Sequence, residues 1–382
     1  MMIDKRIITH FDFLLPFLLL PLIVISYVLI SEVSPSQNIR QTIYVLFGIA
    51  AFCFVFFLPF RQANKMIIVF YWVCILLLIL VLVAGTKQLG AQRWLTIGAF
   101  SLQPSEPVKV AIILLLGLHI STNPPPPNGY GIKQFCILSF YILLPFVLIL
   151  LQPDLGTALV VLFMGFGTLF LIGVNPRIWI TLIMSVLVAS PFIYGSLKDY
   201  QKKRIHDFIS EKPSYHVQQS IITIGSGGIL GKKKEESTQT QLKFLPIATS
   251  DFIFAYFVER WGFLGAIFLI GLYGVMILHI LSFCFMGEKD YRLRTTAAAV
   301  AMLLFFYVSV NIGMTIDFAP VVGIPLPLMS YGGSSFITFM VLFGILENML
   351  AFRFSYTNSQ NPLKVLVRKR KWGGGAIKDS SA

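Results

Sequence analysis

The residues with chemical potential in this chain are few, and they sit at the ends of apolar runs. Glu106 and Lys109 are three residues apart in Gln103-Pro104-Ser105-Glu106-Pro107-Val108-Lys109. On a helix they share a face and neutralise each other, either as a structural ion pair or as part of a site. Both prolines suit a first helical turn, which has no intrahelical use for its N–H groups. Just upstream, Gly90-Ala91-Gln92-Arg93-Trp94 sets a fixed cation beside an amphipathic ring, which can equally be an interfacial anchor. Asp154 follows Pro153, and Asp251 follows Thr249-Ser250. Each opens an apolar run, so position alone makes both of them N-terminal caps. Gly225, Gly227, Gly228 and Gly231 precede Lys232–Lys234, but Ser226 and Lys233 break the G-x-x-x-x-G-K-[ST] spacing of a nucleotide phosphate loop. Glycine-rich backbone beside lysines can still cradle a pyrophosphate.

Those residues have to be positioned by a chain of unusual composition. Its 382 residues are 56% hydrophobic, 14% aromatic and 12% charged, with a mean hydropathy of +0.80. A soluble domain carries about 25% charged residues, so this chain cannot coat a soluble fold of its size. Apolar windows near 11–31, 41–60, 66–86, 104–121, 134–151, 155–174, 178–197, 251–283, 295–316 and 334–355 predict an all-α polytopic membrane protein of about ten transmembrane helices. The first window follows Lys5 and Arg6 but exceeds a signal-peptide core and lacks a small-x-small cleavage site, so it reads as a retained helix. Cys53, Cys74, Cys136 and Cys284 show no metal spacing and read as small buried hydrophobes.

Lys and Arg set the orientation. With the N-terminus cytoplasmic, 16 basic residues fall on cytoplasmic segments and three on short external loops, which places both termini inside. Residues 198–250 then form one large extracytoplasmic loop carrying nine basic and five acidic residues. Such a loop either translocates regardless of charge or faces an anionic ligand. Residues 1–355 make one transmembrane domain, and 356–382 form a basic cytoplasmic tail without a fold. The positive charges are scattered between spans, which excludes nucleic acid as a partner. Pro325-Leu326-Pro327-Leu328-Met329-Ser330-Tyr331-Gly332-Gly333-Ser334-Ser335 gives irregular backbone near membrane depth, tolerated only where it lines a cavity.

Eight segments in order carry a family resemblance: GAQRWLTIG at 90, LQPSE at 102, QPDLGTA at 152, YHVQQSIITIGSGGILGK at 215, TQTQLKFLP at 238, SDFIFA at 250, NIGM at 311 and GIPLPLMSYGGSS at 323. Together they resemble the SEDS family (shape, elongation, division and sporulation), polytopic glycosyltransferases that polymerise the peptidoglycan precursor lipid II, and they look closer to its elongation branch than to its division branch. The resemblance implies that Asp251 is the catalytic residue. It implies that Arg93, Trp94, Glu106 and Lys109 bear on substrate. Gln218, Lys232, Lys243, Ser330 and Ser334, from the matching segments, complete the expected substrate-binding set. The chain departs from the family where Phe244-Leu245-Pro246-Ile247-Ala248-Thr249-Ser250-Asp251 lacks a Glu and a His, where Glu259-Arg260 replaces two glutamates, and at Asp317.

As the resemblance implies it, Asp251 removes a proton from a sugar hydroxyl, and cations stabilise the departing undecaprenyl pyrophosphate. A divalent cation, Mg2+ or Mn2+, could share that role, although no ligand set is legible. The implied partners are lipid II and undecaprenyl pyrophosphate, a class B penicillin-binding transpeptidase and other membrane proteins of the elongation complex. The competing readings are a division paralogue, a lipid II flippase and a non-catalytic scaffold.

Overall fold

The computed structural model describes residues 10–60, 63–88, 91–97, 100–197, 199–209, 214–242, 244–286 and 290–353. Lys243 and the expected tail at 356–382 lie outside them. The long helices are α1 (Leu14–Val33), α2 (Pro35–Phe56), α3 (Asn64–Ala84), α4 (Ser105–Thr122), α5 (Ile132–Leu151), α6 (Leu155–Ile172), α7 (Pro176–Ser196), α11 (Ile253–Ser282), α12 (Tyr291–Thr315) and α13 (Gly333–Ala351). Among the described residues, nine are long and apolar enough to cross a membrane, and α7 is apolar over Pro176–Phe192. Helices follow from the composition, because in lipid every backbone N–H and C=O must be satisfied within its own segment.

The bundle is organised around α4, α12 and α13, which are buried along most of their length, while α2, α3 and α5 turn much of their surface outward. Lipid gives no hydrophobic drive for helix association, so close packing has to supply it. Small residues do this on α12, where Ala297, Ala298, Ala299 and Ala301 are buried. Gly117 on α4 faces Thr296 so closely that a Cβ would sit 3.2 Å from its hydroxyl. The outside is apolar (Val83 is 81% exposed) and the charges are inside (Lys109 is 0% exposed), the inverse of a soluble domain. Cys53 and Cys136 correct the expectation of buried thiols. They lie exposed on the apolar faces of α2 and α5, and only Cys74 is fully buried.

Two regions differ from a plain helical reading. Between α3 and α4 the chain forms a small antiparallel meander, β1 (Thr86–Gln88), β2 (Ala91–Ile97) and β3 (Phe100–Leu102). Its register pairs Thr86 with Trp94 and Leu95 with Leu102. Gln92 ties it to the bundle by donating to the Val81 carbonyl at 3.1 Å. The second region is 198–250, expected as one loop. It contains α8 (Asp199–Ile209), α9 (Tyr215–Ser226) and α10 (Thr238–Gln241). α9 is built into the body, with Ser220 buried and donating to the Thr315 carbonyl at 2.8 Å.

The run from Asp251 is a broken helix. Gly262 (φ 66, ψ −164) divides α11 into a short buried segment and a second segment that reaches Ser282. That second segment is long enough, at about 30 Å, to cross a bilayer by itself. Helix breaks strand backbone donors, and here the glycine-rich loop satisfies them. Phe263 N–H donates to Gly228 C=O at 2.9 Å, Leu264 N–H to Ile229 C=O at 3.2 Å, and Lys232 N–H to Glu259 C=O at 2.9 Å. The glycines therefore serve a crossing of two backbones. A Cβ on Gly227 would collide with the Val258 carbonyl, and one on Gly231 (φ 81) with the Arg260 carbonyl. Arg260, expected inside a span, sits at this break. Its guanidinium pairs with both oxygens of Glu32 at the end of α1, at 2.8 Å each, and also donates to the Lys232 carbonyl.

The break makes a sharp prediction. A Cβ on Gly262 would meet Gly231 N and Ile229 O in a left-handed conformation. Gly262→Ala is expected to destabilise the protein by about 2 kcal/mol or more. Gly271→Ala in the same helix, with nothing within 4 Å of the added methyl, should be neutral or stabilising by up to about 1 kcal/mol. Thermal midpoints of the two detergent-solubilised variants test this, and equal midpoints would refute it.

Candidate active site

Asp251 lies just before α11, where three distant segments interlock. The Asn311 side-chain amide donates to the Asp251 carbonyl at 2.9 Å and to the Ile324 carbonyl at 2.8 Å. Ser330 Oγ donates to the Ser250 carbonyl at 2.6 Å and accepts the Leu326 N–H at 2.7 Å. Tyr331 N–H donates to the Thr249 carbonyl at 2.7 Å. The irregular 325–331 backbone is satisfied from two further helices, by Tyr273 Oη on Pro327 C=O at 2.5 Å and Ser26 Oγ on Met329 C=O at 2.7 Å. This is the condition under which non-helical chain survives at membrane depth.

The Asp251 carboxylate is not used as a cap. α11 has Phe252 at its N-cap and no side-chain cap bond. The carboxylate instead faces Gly323 (φ 72), where even a methyl would stand 3.5 Å from Oδ2. Burial pushes the Asp251 carboxyl above the usual aspartate range, against the opposing pull of Arg93, a Ser250 hydrogen bond, Arg204 and His216. A base with a raised pKa, near two cations and not engaged as a helix cap, is equipped to take a proton.

Asp154 behaves differently. Its Oδ1 accepts the Thr157 N–H at 3.3 Å and its Oδ2 the Thr157 hydroxyl at 2.9 Å, so it caps α6. It also holds Arg93 in an ion pair at 3.4 Å. That contact fixes the guanidinium beside Asp154, within electrostatic range of Asp251. Trp94 follows on β2, half-buried, with its carbonyl accepting the Thr86 hydroxyl at 3.2 Å. Glu106 and Lys109 form the expected pair, with Lys109 Nζ 2.8 Å from Glu106 Oε1. The ammonium also lies 2.5 Å from Tyr307 Oη and is 0% exposed, so its effect on a ligand has to pass through its neighbours.

The structure thus gathers Arg93, Asp154 and Asp251, with the Glu106–Lys109 pair sealed in the adjoining helix. Ser330 is buried, and both functions of its hydroxyl are engaged in holding the Asp251 segment. Ser334 is in the first turn of α13, where its carbonyl accepts Thr338 Oγ1 at 2.9 Å. Gln218 is exposed on α9. Lys232 stands at the Gly262 break, seven residues of helical rise, about 10 Å, from the start of α11. Sequence reasoning passed over Asn311, although it is a lone amide in an apolar run. It also passed over Arg204 on α8, whose proximity no local spacing signals. With Asp207, Ser214, Asp317 and Val321, Arg204 lines a cavity of about 40 Å³. Among the described residues no group of three or more His, Cys, Asp or Glu is placed to hold a metal ion, so these residues do not fit a protein-built metal cage.

Nine helices long and apolar enough to cross a membrane among the described residues, with a buried carboxylate held beside two arginines, define a candidate membrane-embedded enzyme. Its pattern matches the FtsW/RodA/SpoVE family of cell cycle proteins over residues 5–354, and the chain belongs to that family. It is 58% identical over 365 residues to a peptidoglycan glycosyltransferase MrdB of Helicobacter pylori, covering 95% of this chain and 96% of that one. The MrdB of Escherichia coli is 36% identical over 350 residues, covering 89% and 93%. Among solved structures, a chain from a study of how a peptidoglycan synthase complex coordinates polymerization and crosslinking superposes with a TM-score of 0.79 at 28% identity, covering 90% of this chain and 98% of that one. The rod shape determining protein RodA of Thermus thermophilus gives a TM-score of 0.69 at 27% identity with the same coverages.

Proposed function

We propose that Asp251 is the general base of a glycan polymerase. The chain is a peptidoglycan glycosyltransferase of the elongation type, integral to the membrane. In our reading it is in the bacterial cytoplasmic membrane with both termini inside and Asp251 facing outward. The donor is a growing glycan whose C1 is bonded to undecaprenyl pyrophosphate, and the acceptor is the 4-hydroxyl of the N-acetylglucosamine of lipid II. Asp251 takes the hydroxyl proton as the oxygen bonds to C1. The C1–phosphate oxygen bond breaks, and undecaprenyl pyrophosphate departs with the electron pair. A sugar hydroxyl is too weak a nucleophile without such a base. Arg93, fixed by Asp154 at 3.4 Å, is placed to stabilise the charge that develops on the leaving group.

The observation that carries this reading is the carboxylate itself. It is held through its backbone by Asn311, its segment is held by Ser330, and its side chain has no cap to make. A broken helix is also what a flippase would use. Here, however, the donors freed at Gly262 are satisfied by Gly228 and Ile229, and no ligand is needed there. In our reading the chain works beside a class B penicillin-binding transpeptidase and the other membrane proteins of the elongation complex. The test is purified protein with lipid II in vesicles, with and without that transpeptidase. Glycan chains longer than the starting disaccharide are expected. Translocation of lipid II without polymerisation would overturn the proposal.

A further inference from the structure

We infer that the two pyrophosphates of the reaction are held at opposite ends of the first segment of α11: the departing donor pyrophosphate by Arg93 and Arg204, and the acceptor pyrophosphate of lipid II by Lys232–Lys234. The inference rests on the polymerase reading above and adds the separate subsites to it.

The glycine-rich loop encloses an open hollow of about 440 Å³ lined by Gly231, Lys232, Lys233, Lys234, Glu235 and Arg260. Arg260 is neutralised by Glu32, and Glu235 offsets one lysine, so two lysine charges remain in excess among the lining residues. The backbone from which they project is fixed. Lys232 N–H is bonded to the Glu259 carbonyl at 2.9 Å, and the Lys232 carbonyl accepts from Arg260. Fixed backbone whose lining residues carry lysines in excess of carboxylates suits a phosphate-bearing ligand.

Geometry decides which pyrophosphate it takes. The donor pyrophosphate is bonded to the carbon under attack, so it must lie within a few bonds of the oxygen that Asp251 deprotonates. Arg93, held 3.4 Å from Asp154, and Arg204, which lines the cavity beside Val321 just before the Gly323 that the Asp251 carboxylate faces, are the cations on that side. The acceptor pyrophosphate is attached to the far sugar, a disaccharide away from the reacting 4-hydroxyl. Between Ile253 and Arg260 the helix rises about 10 Å, which is the reach of an extended disaccharide. The Lys232 backbone, bonded to Glu259, therefore stands about one disaccharide length along α11 from its start, the separation an acceptor pyrophosphate requires.

The test uses the full chain with its transpeptidase in vesicles, a preformed lipid-linked glycan as saturating donor, and lipid II as the varied acceptor. Replacing Lys232, Lys233 and Lys234 together by Gln should raise the KM for lipid II about tenfold while leaving kcat and the donor KM within about twofold. Replacing them by Arg should restore the acceptor KM. An unchanged lipid II KM, or a rise in the donor KM instead, would overturn the assignment. Anionic phospholipid presents the same phosphate chemistry, so both proteins are compared in phosphatidylcholine vesicles with and without phosphatidylglycerol. Persistence of the defect without phosphatidylglycerol supports the substrate site, and its disappearance there would assign the loop to bulk headgroups and overturn the proposal. Asp251→Asn in the same assay reports on the base separately. If it is active, the polymerase mechanism falls; if it is dead beside an unaffected lysine variant, only the subsite assignment falls.

Discussion

Asp251→Asn is expected to abolish glycan polymerisation, by about 10²–10⁴-fold, while the protein reaches the membrane in normal amounts with an unchanged or higher thermal midpoint. Asn caps a helix about as well as Asp, and the bonds that hold this segment run through backbone carbonyls that the substitution preserves. Stability and chemistry therefore separate, and full activity in the variant would remove the general-base assignment. The pH profile gives a second signature. Below its pKa the carboxyl is protonated and cannot accept the sugar proton, so the rate rises as pH increases through that value. Burial raises the Asp251 pKa, which places this acid limb above the usual aspartate range near pH 4. Arg93 opposes the rise, so Arg93→Gln should move the limb to still higher pH. A limb that stays at pH 4 or lower would contradict the site described here.

The second large effect concerns the Glu106–Lys109 pair. Lys109→Met should destabilise the protein by about 3–5 kcal/mol, because it leaves a buried carboxylate without its cation. The dependence is strong here, since Glu106 Oε2 is buried with no other partner and Oε1 is the atom that Lys109 binds. Adding Glu106→Gln to Lys109→Met should recover much of that loss, as removing both charges of a buried pair costs far less than removing one. Thermal denaturation of the single and double variants measures the coupling. A stable Lys109→Met protein that has lost activity would show that Lys109 acts on the reaction and not on the fold.

The residues differ in how much of their role could be read in advance. Asp154 and Asp251 look alike in sequence, each opening an apolar run after a turn. One is a cap that accepts the Thr157 N–H at 3.3 Å, and the other has no cap to make. The difference comes from Asn311 and Ser330, which lie 60 residues beyond Asp251 and 80 residues beyond Ser250. No local spacing encodes those contacts. The same holds for Arg260, whose partner Glu32 is 228 residues away. The glycines at 225–231 suggested a phosphate cradle by composition. Their packing against Val258, Arg260 and Gly262 gives Gly227 and Gly231 a steric purpose, leaving the lysines beside them to meet an anion.

By itself the sequence determined the membrane class, the order of the long helices, the Glu106–Lys109 pair and the family, because hydropathy and short motifs are local properties of the chain. The small β-meander that presents Arg93, the break at Gly262 and the freedom of the Asp251 carboxylate were decided only by tertiary structure. The break and the Asp251 segment depend on backbone groups finding partners far along the chain, in a medium where no water can satisfy them instead; the meander pairs locally, and what no local pattern encodes is the Arg93–Asp154 contact that orients it.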